Sequence, residues 1–146
     1  MATFDRSVTT DWEGGLMDGN GVAKAGTGAF SLPVTFPRRI GDPQGATSPE
    51  ELIAAAHAIC FAMVINAAAG KKGASVGKTH VTCTVTADKS DAGIKITTSK
   101  LQLTVEGLQG MDPGAFDAFA REAEKGCPVS NALRGSLNIE LETAVK

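Results

Sequence analysis

The feature that most constrains the fold is a run of 18 mostly apolar residues from Leu52 to Ala69. Ser48 precedes this run as a suitable helix N-cap, Pro49 suits the first helical position, and Glu51 completes a capping box with Ser48. These signals predict a helix from Pro49 to about Ala69, with Gly70 as its stop. Because the run is apolar on all sides, we expect the helix at the centre of the fold.

The same segment is long enough to cross a membrane. It is rich in alanine rather than leucine, however, and it carries the polar residues His57 and Asn66. We therefore expect a buried helix of a soluble protein and no membrane partner. Helical spacing predicts one packed side, made of Ile53, Ala56, Cys60, Met63, Val64 and Ala67.

The first 40 residues are expected to be rich in β-strands. Glycine-rich turns at 14–15, 18–21 and 26–28 separate short runs, as in hairpins. A third strand is predicted over Ala29–Phe36. A loop is predicted to follow from Arg38 to Thr47, because Pro37 and Pro43 bracket it.

After the long helix, alternating residues predict a strand over Val81–Ala87. A long strand or a bent pair is expected over Ile94–Val105. Asp112 caps a second helix to about Lys125, with a predicted inner stripe of Phe116, Phe119, Ala120 and Ala123. Pro128 begins a short third helix, and a last strand includes Leu137–Leu141. Strands on both sides of a long helix predict an α+β fold, as one domain over residues 1–146.

Composition argues against several classes of function. The formal net charge is −2, no basic block is present, and tyrosine is absent, so a nucleic-acid partner is not expected. The first residues lack the basic start and apolar stretch of a secretory signal. Three cysteines do not suit a disulfide scaffold. A cytoplasmic protein with reduced thiols is therefore predicted.

Cys60 is the candidate nucleophile, set in the apolar helix. Only a thiolate is reactive, and burial raises the pKa of a thiol, so activation requires a nearby cation. Arg38 and Arg39 precede the helix and are the candidates, because a guanidinium stays charged and can hold a thiolate and a carboxylate together. Glu50 is the carboxylate expected to orient the arginine, since Glu51 is engaged in capping.

The helix geometry limits how these groups can meet. Glu50 and Cys60 are ten residues apart, which separates their backbones by roughly 15 Å along a straight helix. Either the helix breaks, or the Arg–Glu pair reaches the thiol of a second subunit. We favour the second subunit, because a helix that is apolar on all sides needs more cover than the few aromatic residues of this chain supply.

Cys127 is the second candidate thiol. It stands just before Pro128, near the expected N-cap of a short helix, where the positive end of the helix favours a thiolate. Cys127 is suited to condense with an oxidised Cys60, but a disulfide requires the two α-carbons to lie within about 7 Å. The sequence does not provide that distance.

Each of these residues also has a purely structural interpretation. Cys83 lies on the Val81/Val85 face and fits a small core residue, and Cys60 alone would fit one too. His57 and Cys60 are one turn apart and could bind a metal, but no second close pair completes such a site, so none is expected. His57 is interpreted as a hydrogen-bonded helix histidine. Arg38 and Arg39 by themselves fit a solvated pair of charges. Glu50 and Glu51 by themselves fit acidic residues of a first helical turn, which the helix dipole favours.

Taken together, three motifs resemble the OsmC/Ohr family of osmotically inducible and organic hydroperoxide resistance proteins. They are Thr47–Leu52, Ala54–Phe61 and Gly126–Ser130. His57 and the pair Val129-Ser130 are more similar to the OsmC branch. The resemblance covers nearly the whole chain and implies antiparallel β-sheets around a long buried central helix, in an intertwined homodimer.

The resemblance implies a thiol-dependent peroxidase that reduces organic hydroperoxides to alcohols and serves in the response to oxidative or osmotic stress. Cys60 matches the peroxidatic cysteine and Cys127 the resolving one. Glu50 falls on the family's glutamate. The family's arginine points to Arg39, although a variable loop leaves Arg38 open.

The implied cycle takes Cys60 to a sulfenic acid, then to a Cys60–Cys127 disulfide, and back by an external dithiol such as a lipoylated protein. It requires no metal, flavin or other cofactor. An apolar pocket formed by Phe61, Met63 and their neighbours is expected to favour alkyl hydroperoxides over hydrogen peroxide.

Two other functions compete with this prediction. One is a non-peroxidase member of the fold that binds a small molecule or an acyl carrier and whose cysteines take no part. The other is a thiol-disulfide oxidoreductase that acts on proteins. It is the weakest alternative, because the chain lacks the Cys-x-x-Cys spacing typical of such enzymes.

Overall fold

The computed structural model describes residues 1–146. The chain forms two compact units, Met1–Leu52 and Ile53–Lys146, which we describe separately. The boundary between them falls inside the long helix, which runs from Pro49 to Lys71. A single domain over residues 1–146 stays a prediction.

The first unit contains the predicted hairpins. Strands β1 (Val8–Glu13), β2 (Asn20–Ala25) and β3 (Ser31–Val34) form an antiparallel sheet in the order β1-β2-β3. The first turn is closed by Asp18, whose Oδ1 accepts a hydrogen bond from the Gly15 amide at 3.0 Å. The third strand is present but shorter than predicted.

The loop predicted from Arg38 to Thr47 is wrong at its start, where a short helix α1 (Phe36–Ile40) forms instead. Thr35 caps it, because its Oγ1 accepts the Arg38 amide at 3.2 Å. Pro37 in the first turn fits this start, since its missing N–H has no partner to lose there. The consequence is that Arg39 stands in the last turn of a helix rather than in a loop.

The long helix α2 (Pro49–Lys71) begins where predicted. Ser48 Oγ accepts the Glu51 amide at 3.1 Å, as an N-cap should. The Glu51 carboxylate accepts a hydrogen bond from Thr47 Oγ1 at 2.8 Å instead of turning back to the Ser48 amide. Half of the predicted capping box is therefore found, and the Glu51 carboxylate is engaged by Thr47 rather than in the cap.

The end of α2 differs from the prediction, because Gly70 does not stop the helix. Gly73 has a left-handed φ of +70° and is the stop. Its amide donates to the Gly70 carbonyl at 3.1 Å, and the Ala74 amide donates to the Ala69 carbonyl at 2.9 Å. These two bonds form a Schellman motif, in which glycine takes the left-handed position.

The packed face of α2 also differs from the prediction. Its fully buried side chains recur every fourth residue: His57, Phe61, Ile65 and Ala69. Of the predicted stripe, Cys60 and Val64 are partly buried, but Met63 is 68% exposed. Ala56 and Ala67 are exposed as well. By length and composition α2 could cross a membrane, but one of its faces belongs to a folded core.

The second unit is built on a long hairpin. Strands β4 (Lys78–Ser90) and β5 (Gly93–Glu106) pair antiparallel, with a register shift between Thr86 and Ala87. The segment predicted as one strand or a bent pair is thus a single long strand beside a bulge. The last strand β6 (Asn138–Val145) completes the order β4-β5-β6.

The pairing of β5 with β6 is parallel, so this sheet is mixed rather than wholly antiparallel. Parallel neighbours need a long crossover connection. Here the crossover contains a 3₁₀ turn (Pro113–Ala115), helix α3 (Phe116–Glu124) and helix α4 (Pro128–Leu133). The predicted α+β class is confirmed, and the crossover carries Cys127.

One buried cluster joins α2, β5 and α3 in the second unit. The predicted inner stripe of α3 is largely confirmed, with Glu124 buried and Ala123 only partly buried. Cys127 belongs to the same cluster and is fully buried. The core thus holds the start of α4 close to α2. The cluster includes Phe61, Ile65, Leu101, Leu103, Val105, Phe116, Phe119 and Ala120.

Candidate active site

The two predicted thiols meet in the second unit. Cys60 is partly buried on α2, Cys127 is the fully buried N-cap residue of α4, and both are free thiols. Cys60 packs against the buried cluster that contains Cys127, and the neighbouring Cys127 thiol raises the pKa of Cys60. Residues 67 positions apart in sequence are therefore brought together, as a Cys60–Cys127 disulfide would require.

Burial raises the pKa of the Cys60 thiol above its ordinary value, as the sequence predicted. The Val129 backbone amide, at the start of α4, hydrogen-bonds to Cys60 and opposes this shift. The neighbouring Cys127 thiol adds to it. One amide does not overcome burial, so a cationic group is still needed to hold Cys60 as a thiolate.

Arg39 and Glu50 form a bidentate salt bridge within the first unit. Arg39 Nη2 donates to Glu50 Oε1 at 2.6 Å, and Arg39 Nε donates to Oε2 at 3.1 Å. The side chains are only 25% and 14% exposed. Glu50 therefore orients Arg39, as expected. The structure gives Arg38 no side-chain ion pair.

The ion pair keeps both partners charged. The hydrogen bond to Glu50 raises the pKa of Arg39, and the hydrogen bond from Arg39 lowers the pKa of Glu50, in each case against the opposing effect of burial. Nη1 of Arg39 makes no hydrogen bond within the chain. The guanidinium thus has donors left for an anion or a peroxide oxygen.

A cavity of about 330 Å³ opens in the first unit beside Arg39. The sequence had assigned the apolar lining to Phe61 and Met63, and this is wrong for Phe61, which is fully buried in the core. The cavity was missed because its walls come from separate strands, a turn and the helices α1 and α2, which no local pattern connects. Its apolar lining includes Trp12, Leu16, Val34, Phe36 and Leu52.

His57 is fully buried, and both of its ring nitrogens have partners. Nδ1 lies 2.7 Å from Ser99 Oγ, and Nε2 lies 2.7 Å from Ser130 Oγ. The interpretation of His57 as a hydrogen-bonded helix histidine is therefore confirmed. No group of three or more His, Cys, Asp or Glu side chains is arranged to hold a metal ion.

Cys83 is half-buried and joins the same group of side chains, because its Sγ lies 3.2 Å from Ser99 Oγ. Sequence analysis noted Ser130 only as part of a motif and did not single out Ser99. The available signals were a serine directly after the Cys-Pro-Val sequence and a serine that alternation places on the same face of β5 as Leu101, Leu103 and Val105.

An α+β fold in which a helix cysteine meets a second cysteine at the start of a short crossover helix defines a class of thiol-based redox proteins. The chain belongs to the OsmC-like protein family, whose sequence model matches residues 41–142. This confirms the resemblance drawn from the three motifs.

Two curated relatives have descriptive names. The chain is 34% identical over 141 residues to the peroxiredoxin OsmC of Escherichia coli (strain K12), covering 96% of this chain and 97% of that protein. It is also 34% identical over 101 residues to the organic hydroperoxide resistance protein OhrA of Bacillus subtilis, covering 68% of each chain. Both names support the predicted class of enzyme, a cysteine-based peroxidase.

Solved structures confirm the fold. The chain is similar to a crystal structure described as an organic hydroperoxide resistance protein OsmC from Legionella pneumophila, with a TM-score of 0.77 and 27% identity over 99% of this chain and all of that one. The OhrB protein of Bacillus subtilis gives a TM-score of 0.73 at 23% identity, over 94% of this chain and 98% of that one.

Proposed function

We propose that this protein is a thiol-dependent peroxidase that reduces organic hydroperoxides to alcohols. Cys60 is the peroxidatic residue and Cys127 the resolving one. The observation that carries the proposal is the packing of Cys60 against the buried cluster of the second unit that contains Cys127. The names of the relatives, peroxiredoxin and organic hydroperoxide resistance protein, support the substrate class.

Activation of Cys60 is assigned to the Arg39–Glu50 pair of a second copy of the chain. Helix α2 is unbroken from Pro49 to Lys71, so the alternative of a broken helix falls away. The face of α2 that is exposed in the single chain carries Ile59 and Met63, at 57% and 68% exposure. Such an apolar face suits burial against a partner and supports a homodimer.

In the first step the Cys60 thiolate attacks the outer oxygen of the hydroperoxide. An S–O bond forms, the O–O bond breaks, and the leaving alkoxide takes up a proton to become an alcohol. The peroxide gains two electrons and Cys60 is oxidised to a sulfenic acid. Arg39, held by Glu50, stabilises the thiolate and hydrogen-bonds the peroxide.

In the second step the Cys127 sulfur attacks the Cys60 sulfur. An S–S bond forms, and the hydroxyl of the sulfenic acid leaves as water with a proton from Cys127. An external dithiol then reduces this disulfide by exchange and becomes a disulfide itself. We assign that role to a dithiol such as a lipoylated protein in the cytoplasm. No metal or flavin takes part in these steps.

The cavity beside Arg39 supports an organic substrate. Its walls are mainly apolar, and a volume of about 330 Å³ suits an alkyl or aryl group rather than hydrogen peroxide alone. Arg39 provides the charged group at its wall. We therefore expect faster turnover of cumene hydroperoxide than of hydrogen peroxide.

Mass spectrometry after one equivalent of cumene hydroperoxide tests the proposal. We expect a Cys60–Cys127 crosslinked peptide in the wild type and a dimedone-trapped Cys60 sulfenic acid in Cys127→Ser. Cys83→Ser is the matched control and should still form the crosslink. An unmodified Cys60 in the wild type would contradict the peroxidase function.

The same cavity keeps one alternative open, a small-molecule binding protein whose cysteines take no part. Cys60→Ser separates the two functions, because a binding protein would retain its ligand affinity and a peroxidase would lose its turnover. No peroxidase turnover in the wild type, together with unchanged ligand affinity in Cys60→Ser, would favour the binding protein.

A further inference from the structure

His57 connects two distant elements of the second unit. Its Nδ1 meets Ser99 on β5 and its Nε2 meets Ser130 on α4, each at 2.7 Å. All three side chains are fully buried. Hydrogen bonds this short between buried groups fix the relative position of the elements that carry them.

The chain of hydrogen bonds continues from Ser99 to Cys83 at 3.2 Å. A neutral imidazole donates from one nitrogen and accepts at the other. Thus Ser130 donates to Nε2 while Nδ1 donates to Ser99, or Nε2 donates to Ser130 while Ser99 donates to Nδ1. Both arrangements leave His57 bonded to both serines, and burial, by lowering the pKa of His57, favours this neutral form.

Ser130 matters because of where it stands on α4. Cys127 lies three residues before it, and the preceding residue, Val129, carries the amide that hydrogen-bonds to Cys60. An isolated helix of six residues has little stability of its own. The position of α4 therefore depends on its contacts with neighbouring elements.

Three side-chain hydrogen bonds hold α4 and the residue that follows it. Arg134 donates to Glu124 at 2.7 Å, and Asn131 donates to the Lys125 carbonyl at 3.0 Å. Both of these join α4 to the end of α3. The Ser130–His57 bond joins it to α2 one turn before Cys60, in addition to the hydrogen bond from the Val129 amide to Cys60 itself.

We propose that His57 is a positioning residue that acts through Ser130 to hold the Cys127 sulfur and the Val129 amide against Cys60. Ser99 bonds the opposite side of the imidazole, away from α4. The inference rests on the proposed function only in so far as the Cys60–Cys127 disulfide belongs to the catalytic cycle. The geometry that carries it is independent of any peroxide.

Two amide substitutions separate the two sides of the imidazole. A glutamine amide reaches the place of Nε2 and can bond Ser130, whereas an asparagine amide reaches only the place of Nδ1 and Ser99. We expect His57→Asn and Ser130→Ala to prolong the Cys60 sulfenic acid, measured by dimedone trapping, by about tenfold. His57→Gln should restore most of the wild-type rate of disulfide formation.

Ser99→Ala is the matched control, because it removes a buried serine hydroxyl from the other side of the imidazole. We expect its rate to stay within about twofold of wild type, even if its melting temperature falls as far as that of Ser130→Ala. The pH profile of Cys60 alkylation by iodoacetamide adds a second readout. It should move to higher pH in His57→Asn and Ser130→Ala, because the Val129 amide is loosened.

Equal slowing in all the variants, or slowing that only follows the loss of thermal stability, would reduce His57 to a structural role and overturn the proposal. Unchanged rates in Ser130→Ala would also overturn it. Diamide, which accepts two hydrogens as two thiols form a disulfide, repeats the comparison without peroxide. If the peroxidase function is wrong, the wild type will not react with hydroperoxide, yet the order of the variants with diamide should hold.

Discussion

Arg39 and Glu50, eleven residues apart, are joined by hydrogen bonds of 2.6 and 3.1 Å from two different guanidinium nitrogens. Two parallel bonds fix the plane of the guanidinium as well as its position. This arrangement needs both the unpredicted helix α1, which carries Arg39, and the N-terminal turn of α2, which carries Glu50. The pair is thus a pre-oriented cation rather than a mobile surface charge.

The first prediction separates Arg39 from Arg38. Lysine keeps the charge but cannot make two parallel bonds to a carboxylate. We expect Arg39→Lys to lower kcat/KM for cumene hydroperoxide by about tenfold to a hundredfold, which is about 1.4–2.7 kcal/mol of transition-state stabilisation.

Arg38→Lys is the control and should change kcat/KM by less than about twofold. Steady-state kinetics of both variants, together with their melting temperatures, decide the assignment. A larger loss in Arg38→Lys than in Arg39→Lys would show that the wrong arginine has been assigned.

Much of the fold could be predicted, because local chemistry determines it. Ser48 and Pro49 mark the start of α2 through capping preferences that act within one turn. The packed face of α2 could not be predicted in the same way. Nearly every residue there is apolar, so spacing does not distinguish Met63, which is exposed, from Phe61, which is buried.

In the candidate site, too, local sequence predicts some features and tertiary packing determines the others. Cys60 and Cys127 could be singled out, because their surroundings in sequence are distinctive. The bonds from His57 to Ser99 and Ser130 span 42 and 73 residues and depend on how β5 and α4 pack. The parallel pairing of β6 could not be predicted either, since its alternating pattern fits both strand directions.

The second prediction concerns stability against pH. Burial lowers the pKa of His57 below its ordinary value of 6.5, so the unfolded chain binds more protons than the folded chain just below that pH. The free energy of unfolding should therefore fall as the pH drops from 6.5, by up to about 1.4 kcal/mol per pH unit. The pKa of Glu50 is lowered from 4.5, so its own loss of stability begins only at lower pH.

Urea unfolding at pH 7.5, 6.5 and 5.5 measures this slope. His57→Gln should abolish most of the loss between pH 6.5 and 5.5, because glutamine does not titrate. His80→Gln, at the other and exposed histidine, should keep it. An unchanged slope in His57→Gln would show that another group causes the pH dependence.

The third prediction tests the end of α2 with two glycines that are three residues apart. Gly73 has a φ of +70°, so Gly73→Ala should lower the free energy of unfolding by roughly 1–2 kcal/mol. Gly70 lies within the helix with open space where a Cβ would go, so Gly70→Ala should raise it by about 0.5–1 kcal/mol. Chemical denaturation gives both values. A gain in Gly73→Ala together with a loss in Gly70→Ala would place the helix end at Gly70, as the sequence had suggested.

The last prediction uses Trp12, the single tryptophan of the chain, as a reporter of the cavity beside Arg39. Its side chain is 40% exposed, so an apolar ligand that fills the cavity should remove water from the indole and shift its fluorescence to shorter wavelength. Cumyl alcohol, the reduced form of cumene hydroperoxide, is the probe, because it has the apolar group without the reactive bond. The shift should saturate with concentration.

Leu16→Glu places a charge in the lining of this cavity and should weaken the binding of cumyl alcohol by about tenfold or more, because a carboxylate is costly to bury. Met17→Glu adds the same charge at a neighbouring and equally exposed residue outside that lining, and should leave binding unchanged. Equal weakening in both variants would indicate a general effect of charge. A shift that never saturates would mean that the cavity does not bind the organic group, and the preference for organic hydroperoxides would then need another origin.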